Sequence, residues 1–586
     1  MGEPAGRPRW WAAPRTTTVP PGAGSGPPRS AAGGPEPGGG QLKAGQLGTW
    51  DLTVSTVANI GPGIDFYFAF GVIAVTAGVA APLTIIAAGI AVVLLATTVA
   101  EFTRAEPSAV SFITYVETGL GPRAGVVTAL LVTGGYTVAM TGVCTMSGGL
   151  LAMTLAHYTS LNVPWGPLSL VLTVAAIWVT AKGVKLSTSA VGVALVAQVA
   201  IMVAVCVAAL AGQRGHLSAV PFSWAHLTGG LTGLSRGFPL ALYMFIGWEN
   251  GPALAEECRD PKRTVPRALY ISIAIGAALF VLFAYATVTG FDYNVSSIGR
   301  SSVPFLTVAD HYLGGAAVLA WVAGIVSVLA ALVAGSGSQA RMLFDGGRSG
   351  LLPARLGRLR QPSETPVNAL IVMAVAGLGI IGVWWIIHLI TGHTGSMNPV
   401  GLYAECSTMG TIVILVVYLL TNVSLPVFMW RRHRSMFSPI RHVLVPALGS
   451  AVLVVPFIEL CEPGQPPPYS TFPFIALGLA AVAAAIAGLT VHRHPSTGSS
   501  ETTPAPSPCA AGRSPSRGPA RQRHRHTPVA ADEDVVFGGL PRQHGGVSGS
   551  DSGEWRTLRE RRKPAGEEWA VARSRFTSGV SRQAPC

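Results

Sequence analysis

From Asp51 to about residue 491, long apolar stretches alternate with short polar connectors. Few stretches carry the polar face that a helix on a soluble protein shows at 3.6-residue spacing; in Val191–Leu210 only Gln198 is strongly polar. A bilayer crossing takes about 20 mostly apolar residues. The pattern predicts twelve such helices, at 51–75, 78–102, 123–154, 166–183, 186–211, 233–254, 267–290, 314–342, 367–391, 400–424, 440–459 and 472–491. The expected fold class is an all-α membrane protein. Outside this block the pattern stops. Residues 1–46 are rich in Gly, Pro, Ser and Arg, and residues 495–586 in Pro, Ser and Arg. Neither segment holds enough apolar surface to offset its ordering entropy, and both are expected to be disordered.

Composition agrees with a membrane block. Of 586 residues, 49% are hydrophobic and 11% charged, less than half the ~25% of an ordinary soluble domain. The net charge of +13 suggests nucleic acid until the charges are located. Within 47–494, 17 Lys and Arg fall in connectors on one side of the predicted spans and 3 in those on the other. Cytoplasmic loops carry the excess of Lys and Arg. The expected location is therefore the cytoplasmic membrane, multi-pass, with both termini cytoplasmic and no nucleic-acid partner. The tail, with RQRHRH at 521–526 and RERRK at 559–563, fits a solvated cytoplasmic segment, a lipid-headgroup contact, or an out-of-frame translation of GC-rich DNA.

Two spans are interrupted. Asn59-Ile60-Gly61-Pro62-Gly63-Ile64-Asp65 breaks the first, and Phe245-Ile246-Gly247-Trp248-Glu249-Asn250-Gly251-Pro252 breaks the sixth. Non-helical backbone at membrane depth must line a cavity or pack in protein. The two interruptions lie five spans apart and fit corresponding positions of an inverted five-helix repeat, a pairing that points to a transporter's central site. Ionisable residues inside spans are costly and usually functional. Asp65 and Glu249 flank the breaks, and Glu249 is a candidate for gating or proton binding. Glu101 is expected at the interface, and Glu405 fits either an interfacial or a functional place. His388 and His433 stand isolated.

No catalytic or metal-binding grouping emerges. The seven cysteines are far apart without ligand spacing, and the GPGI turn lacks the Lys-Ser/Thr of a phosphate loop. Neither an enzyme nor an organic cofactor is expected.

Three motifs resemble those of the amino acid–polyamine–organocation superfamily of secondary transporters. GPGI (61–64) resembles its glycine-rich turn in span 1. FIGWENGPALAEECRDPKRTVPRAL (245–269) resembles F-x-G-x-E followed by A-E-E-x-x-x-P-x-R-x-I-P-R-A. QARMLFDGGRSGLLPARLGRLRQPSETPVNAL (339–370) resembles the pattern at the exit of span 8. The resemblance implies a fold of two inverted five-helix repeats plus two extra helices, in which Gly61, Gly63 and Ile64 bind a substrate carboxylate and Tyr243 gates the pocket. It places Ile246 and Gly247 on the unwound part of span 6 and Glu249 on a gating or proton-linked glutamate. AKGVKLS (181–187) resembles a G-x-K-x-S pattern, which makes Lys185 a candidate for coupling where relatives bind sodium; a loop charge on the cytoplasmic side is the alternative.

Two departures bear on substrate. Pro62 stands where the family has Ser or Ala and brings no N–H. Asp65 stands where a large apolar residue is common. A carboxylate there could bind a second ammonium, repel a substrate carboxylate or pair with Lys185, so cationic amino acids or amines gain over neutral amino acids. The expected activity is secondary transport of an amino acid or related amine by alternating access, as proton-coupled symport. The alternatives are an exchanger and a non-transporting sensor that kept the fold.

Overall fold

The computed structural model describes residues 45–107, 112–348, 352–361, 363–391, 398–463, 465 and 467–493. The predicted disordered segment 1–46, apart from residues 45 and 46, and the predicted tail 495–586 lie outside the described residues, as do the side chains of Val184, Lys185, Thr391 and residues 490–493. The described residues all fall within one compact unit, Met1–Ser500.

The first broken stretch consists of α1 (Thr49–Ile60) and α2 (Pro62–Ala77), followed by α3 (Ala81–Ala105). A short α4 (Phe112–Leu120) leads into α5 (Pro122–Thr159), then α6 (Trp165–Ala181) and α7 (Val184–Gly212). The second break separates α8 (Leu231–Tyr243) from a 3-10 segment, Trp248–Glu257. Next come α9 (Pro261–Gly290), the short α10 (Val295–Arg300) and α11 (Pro304–Leu313), and α12 (Val318–Arg348). The last four are α13 (Val367–Thr391), α14 (Pro399–Arg432), α15 (Val445–Leu460) and α16 (Phe472–Arg493). Among the described residues there is no strand, only single bridges between Leu47 and Cys258 and between Arg360 and Thr365.

Among the described residues, nine stretches are long and apolar enough to cross a membrane, and Trp165–Ala181 is a shorter apolar helix. One of the nine, Thr49–Ala105, covers the first two predicted spans. The predicted span 233–254 falls on α8 and the 3-10 segment, neither of which is long enough alone, because the Gly247 break divides them. The surface is inverted relative to a soluble protein. Val375, Leu389 and Ile390 of α13 and Phe474 and Leu477 of α16 are more than 60% exposed. In a bilayer such residues face hydrocarbon, and the chain is a multi-pass membrane protein.

Two packing features position the interior. Phe66 and Phe70 of α2 stack at 4.8 Å, and Phe66 meets Phe283 of α9 and Phe305 of α11 edge-on at 5.5 and 5.6 Å. Such aromatic pairs contribute about 0.5–1.5 kcal/mol each beyond area burial. On α5, Gly135, Gly142 and Gly149 are spaced seven apart and meet Val413, Cys406 and Pro399 of α14 in reverse order. A Cβ on these glycines would approach those residues to 3.0, 3.1 and 2.4 Å. Small residues let membrane helices approach closely. The two helices therefore run antiparallel in close contact, which fixes the height of Tyr403 on α14.

Candidate functional site

The first break is one residue wide. Gly61 adopts φ 66°, ψ 58°, a left-handed conformation that favours glycine. Its N–H caps α1 by donating to Val57 O (3.3 Å) and Ala58 O (3.2 Å). Pro62 is the first residue of α2; it lacks the N–H that would continue α1, and its fixed φ suits a new helix start. Gly63 N–H and Ile64 N–H both donate to Ser327 Oγ of α12, at 3.0 and 3.1 Å. Asp65 N–H donates to Gly61 O at 3.1 Å, closing the first turn.

Asp65 is 6% exposed. Its Oδ1 accepts the Tyr403 hydroxyl at 2.6 Å. The Tyr243 hydroxyl donates to that of Tyr403 at 3.1 Å, and Ser407 Oγ donates to Tyr243 at 2.8 Å. Tyr403 and Ser407 are one turn apart on α14, and Tyr243 ends α8 just before its break. A cavity of about 460 Å³ is lined by Tyr243, Tyr403 and Ser407, with Phe68, Arg236 and Glu459 among its other walls.

The second break turns at Gly247, φ 111°. A Cβ there would lie 2.7 Å from both the side-chain nitrogen and the carbonyl oxygen of Asn59, so the position admits no side chain. Asn59 Nδ2 donates to Gly247 O at 3.1 Å. The last turn of α1 thus holds the unwound part of the second break, and the two interruptions touch. Ile246 is half-buried, with its N–H bonded to Tyr243 O at 2.8 Å. Glu249 is fully buried. One of its oxygens accepts Gly247 N–H at 3.0 Å, and the other accepts the Tyr136 hydroxyl of α5.

Beyond Glu249, residues of two motifs that are distant in the chain meet. Arg341 Nε and Glu257 Oε1 pair at 2.5 Å, with side chains 6% and 1% exposed. Arg341 Nη1 also donates to Gly337 O at 2.7 Å. Arg348 pairs with Glu256 at 2.5 Å and with Asp345 at 2.7 Å. The 3-10 segment is therefore clamped to the end of α12.

The structure brings Gly61, Gly63, Ile64 and Asp65 together in one turn. Tyr243 joins Asp65 through Tyr403, and Ile246, Gly247 and Glu249 form the facing break. Lys185 stands in the first turn of α7, and its side chain lies outside the described residues. Ser327, Tyr403, Ser407 and Tyr136 were absent from the sequence reading, as was the contact of Asn59 with Gly247. Their only sequence signal is a hydroxyl or amide within an apolar span.

Glu405 is buried: it accepts the Trp384 indole N–H, and His388 Nε2 lies 3.7 Å from it. Glu101 is 7% exposed and is shared by Arg104 at 2.5 Å and His442 at 3.3 Å. His433 is likewise paired, 3.0 Å from Glu106.

The family model described as "Amino acid permease" matches residues 47–487. The branched-chain amino acid permease BcaP of Bacillus subtilis is 22% identical over 63% of this chain and 78% of its own length. The "Cationic amino acid transporter 3, mitochondrial" of Arabidopsis thaliana is 26% identical over 55% of each chain. The methylthioribose transporter of Bacillus subtilis is 23% identical over 57% of this chain and 74% of its own. The matches thus span about half to four fifths of these relatives. The family and these relatives are transporters, not enzymes, and the chain belongs to the amino acid permease family, within the amino acid–polyamine–organocation superfamily.

Proposed function

We propose that the protein is a secondary active transporter that moves an amino acid or related amine across the cytoplasmic membrane by alternating access. The observation that carries this reading is the contact between the two helix breaks at Asn59 and Gly247, flanked by the buried carboxylates Asp65 and Glu249. Broken helices give free backbone groups and helix-end dipoles to a ligand at membrane depth. Twelve spans, with two inverted five-helix repeats and both termini cytoplasmic, fit the apolar pattern and the Lys/Arg bias of the connectors.

Gly61, Gly63, Ile64, Asp65, Tyr243, Ile246 and Gly247 form the substrate site in this reading. Glu249 gates or carries the coupling proton, and Lys185 contributes a second titratable group. Asp65 favours a cationic substrate. The names of the relatives span neutral amino acids, cationic amino acids and a sugar derivative, so the choice rests on this chain's own residues.

Uptake into proteoliposomes tests the reading. Wild-type protein should accumulate a labelled substrate from an amino acid and amine panel under an inward proton gradient. Glu249→Gln should lose that accumulation while retaining counterflow. Accumulation unaffected by the substitution would remove the assigned role of Glu249, and counterflow without any response to the gradient would indicate an exchanger.

A further inference from the structure

The start of α2 is the place where a substrate carboxylate would be expected, yet its donors are already engaged. Pro62 has none. Gly63 and Ile64 both donate to Ser327 Oγ, and Asp65 N–H is taken by Gly61 O. Ser327 is fully buried, and its place is set by helix packing. A Cβ on Gly63 would lie 2.7 Å from Ser327 Cβ, and one turn away a Cβ on Gly324 would lie 2.6 Å from the Tyr67 ring. The Tyr67 hydroxyl donates to Ala320 O at 2.8 Å, tying the same two helices again. An entering carboxylate would have to displace an oxygen that already satisfies two N–H groups in a tightly packed seam.

The turn also holds a carboxyl group of its own. Asp65 lies in the first turn of α2, where the helix dipole favours an anion. A substrate carboxylate would bring a second carboxyl group to the same low-dielectric spot, where two like charges side by side are strongly unfavourable. Asp65 itself retains binding capacity. Oδ1 takes the Tyr403 hydroxyl, and among the described residues no hydrogen bond reaches Oδ2, although the residue is 94% buried. An ammonium supplies the donors and the charge that such an oxygen lacks.

We infer that Ser327 and Asp65 together exclude an α-carboxylate, and that the ligand is an organic amine whose ammonium binds Asp65 and whose hydrocarbon part lies along Tyr243 and Tyr403. This rests on reading the two breaks as the ligand-binding centre. Ser327 is the specificity-determining residue: it fills the anion-binding turn from within.

Matched pairs test it in proteoliposomes made with the full chain: lysine against 1,5-diaminopentane, and leucine against 3-methylbutylamine, as competitors and as labelled substrates. In wild type each amine should compete at least about tenfold better than its amino acid. Ser327→Ala frees two N–H groups and should narrow that ratio by about threefold or more through better amino-acid binding. A wild type that binds the amino acids as well as or better than the amines overturns the inference while the transporter reading stands. An unchanged ratio in a folded Ser327→Ala protein assigns Ser327 to packing alone and also overturns it. If that variant fails to fold, the wild-type ratio decides. Uptake of neither member of any pair would remove the transporter reading itself.

Discussion

At the scale of single residues, Asp65 and Gly247 carry the sharpest consequences. Asp65→Asn keeps the shape and the acceptor for Tyr403 but removes the charge. Lysine-like competitors should then lose roughly tenfold of their advantage over leucine-like ones, measured as inhibition of labelled uptake at fixed pH. Gly247→Ala should lower stability by at least the roughly 1–2 kcal/mol of a left-handed non-glycine residue, seen as a fall in the thermal unfolding midpoint in detergent. Because the added Cβ would also meet the Asn59 carbonyl oxygen at 2.7 Å, truncating the Asn59 side chain should not restore it. The identity of these two residues was legible in the sequence. Their partners were not, because Gly247 and Asn59 are 188 positions apart and Asp65 and Tyr403 are 338 apart. A serine or tyrosine in an apolar span carries no local mark of what it will face.

At the scale of elements, the 3-10 segment Trp248–Glu257 is ten residues long, whereas such runs seldom exceed three or four. Pro252 within it cannot donate to an α-helical ladder. The segment is held from outside, by Glu257 on Arg341 and Glu256 on Arg348. Removing one partner of a buried ion pair leaves an uncompensated charge and costs about 3–5 kcal/mol. Arg341→Met should therefore destabilise the protein by about that much, and adding Glu257→Met should recover most of it; thermal unfolding of the single and double variants checks this.

Helix positions were largely readable, since apolar length reports them directly: the predicted 367–391 coincides with α13, and 440–459 with a π-helical turn, Ile440–Leu444, and α15. The width of each break was not. GPG in one case gives a single left-handed residue, while GWENGP in the other gives a turn followed by a long 3-10 segment. The charged clamp that holds the second comes from α12, from residues 84 and 92 positions further along the chain.

At the scale of the whole molecule, the apolar block matches the amino acid permease family over residues 47–487. The site described above draws on α1, α2, α5, α8, α12, α14 and the 3-10 segment, all within that range. Deleting residues 495–586 should accordingly leave uptake rate and substrate ranking unchanged within error. A drop in rate at equal protein incorporation would assign the tail a part in transport. The oil-like surface of α13 and α16 was foreseeable from composition, but the antiparallel seam of α5 and α14 was not, because a seven-residue glycine spacing names no partner.

The hydroxyl row from Ser407 through Tyr243 and Tyr403 to Asp65 has a polarity. Each hydrogen points toward the carboxylate, and each oxygen accepts from the neighbour behind it. A proton placed on Oδ1 turns that end from acceptor to donor. Tyr403 must then swing its hydrogen away, Tyr243 must follow, and Ser407 must reverse last. The charge state of one carboxylate is thereby relayed to the cavity lining at Tyr403, Tyr243 and Ser407 as a reversal of dipoles, with no heavy atom required to move.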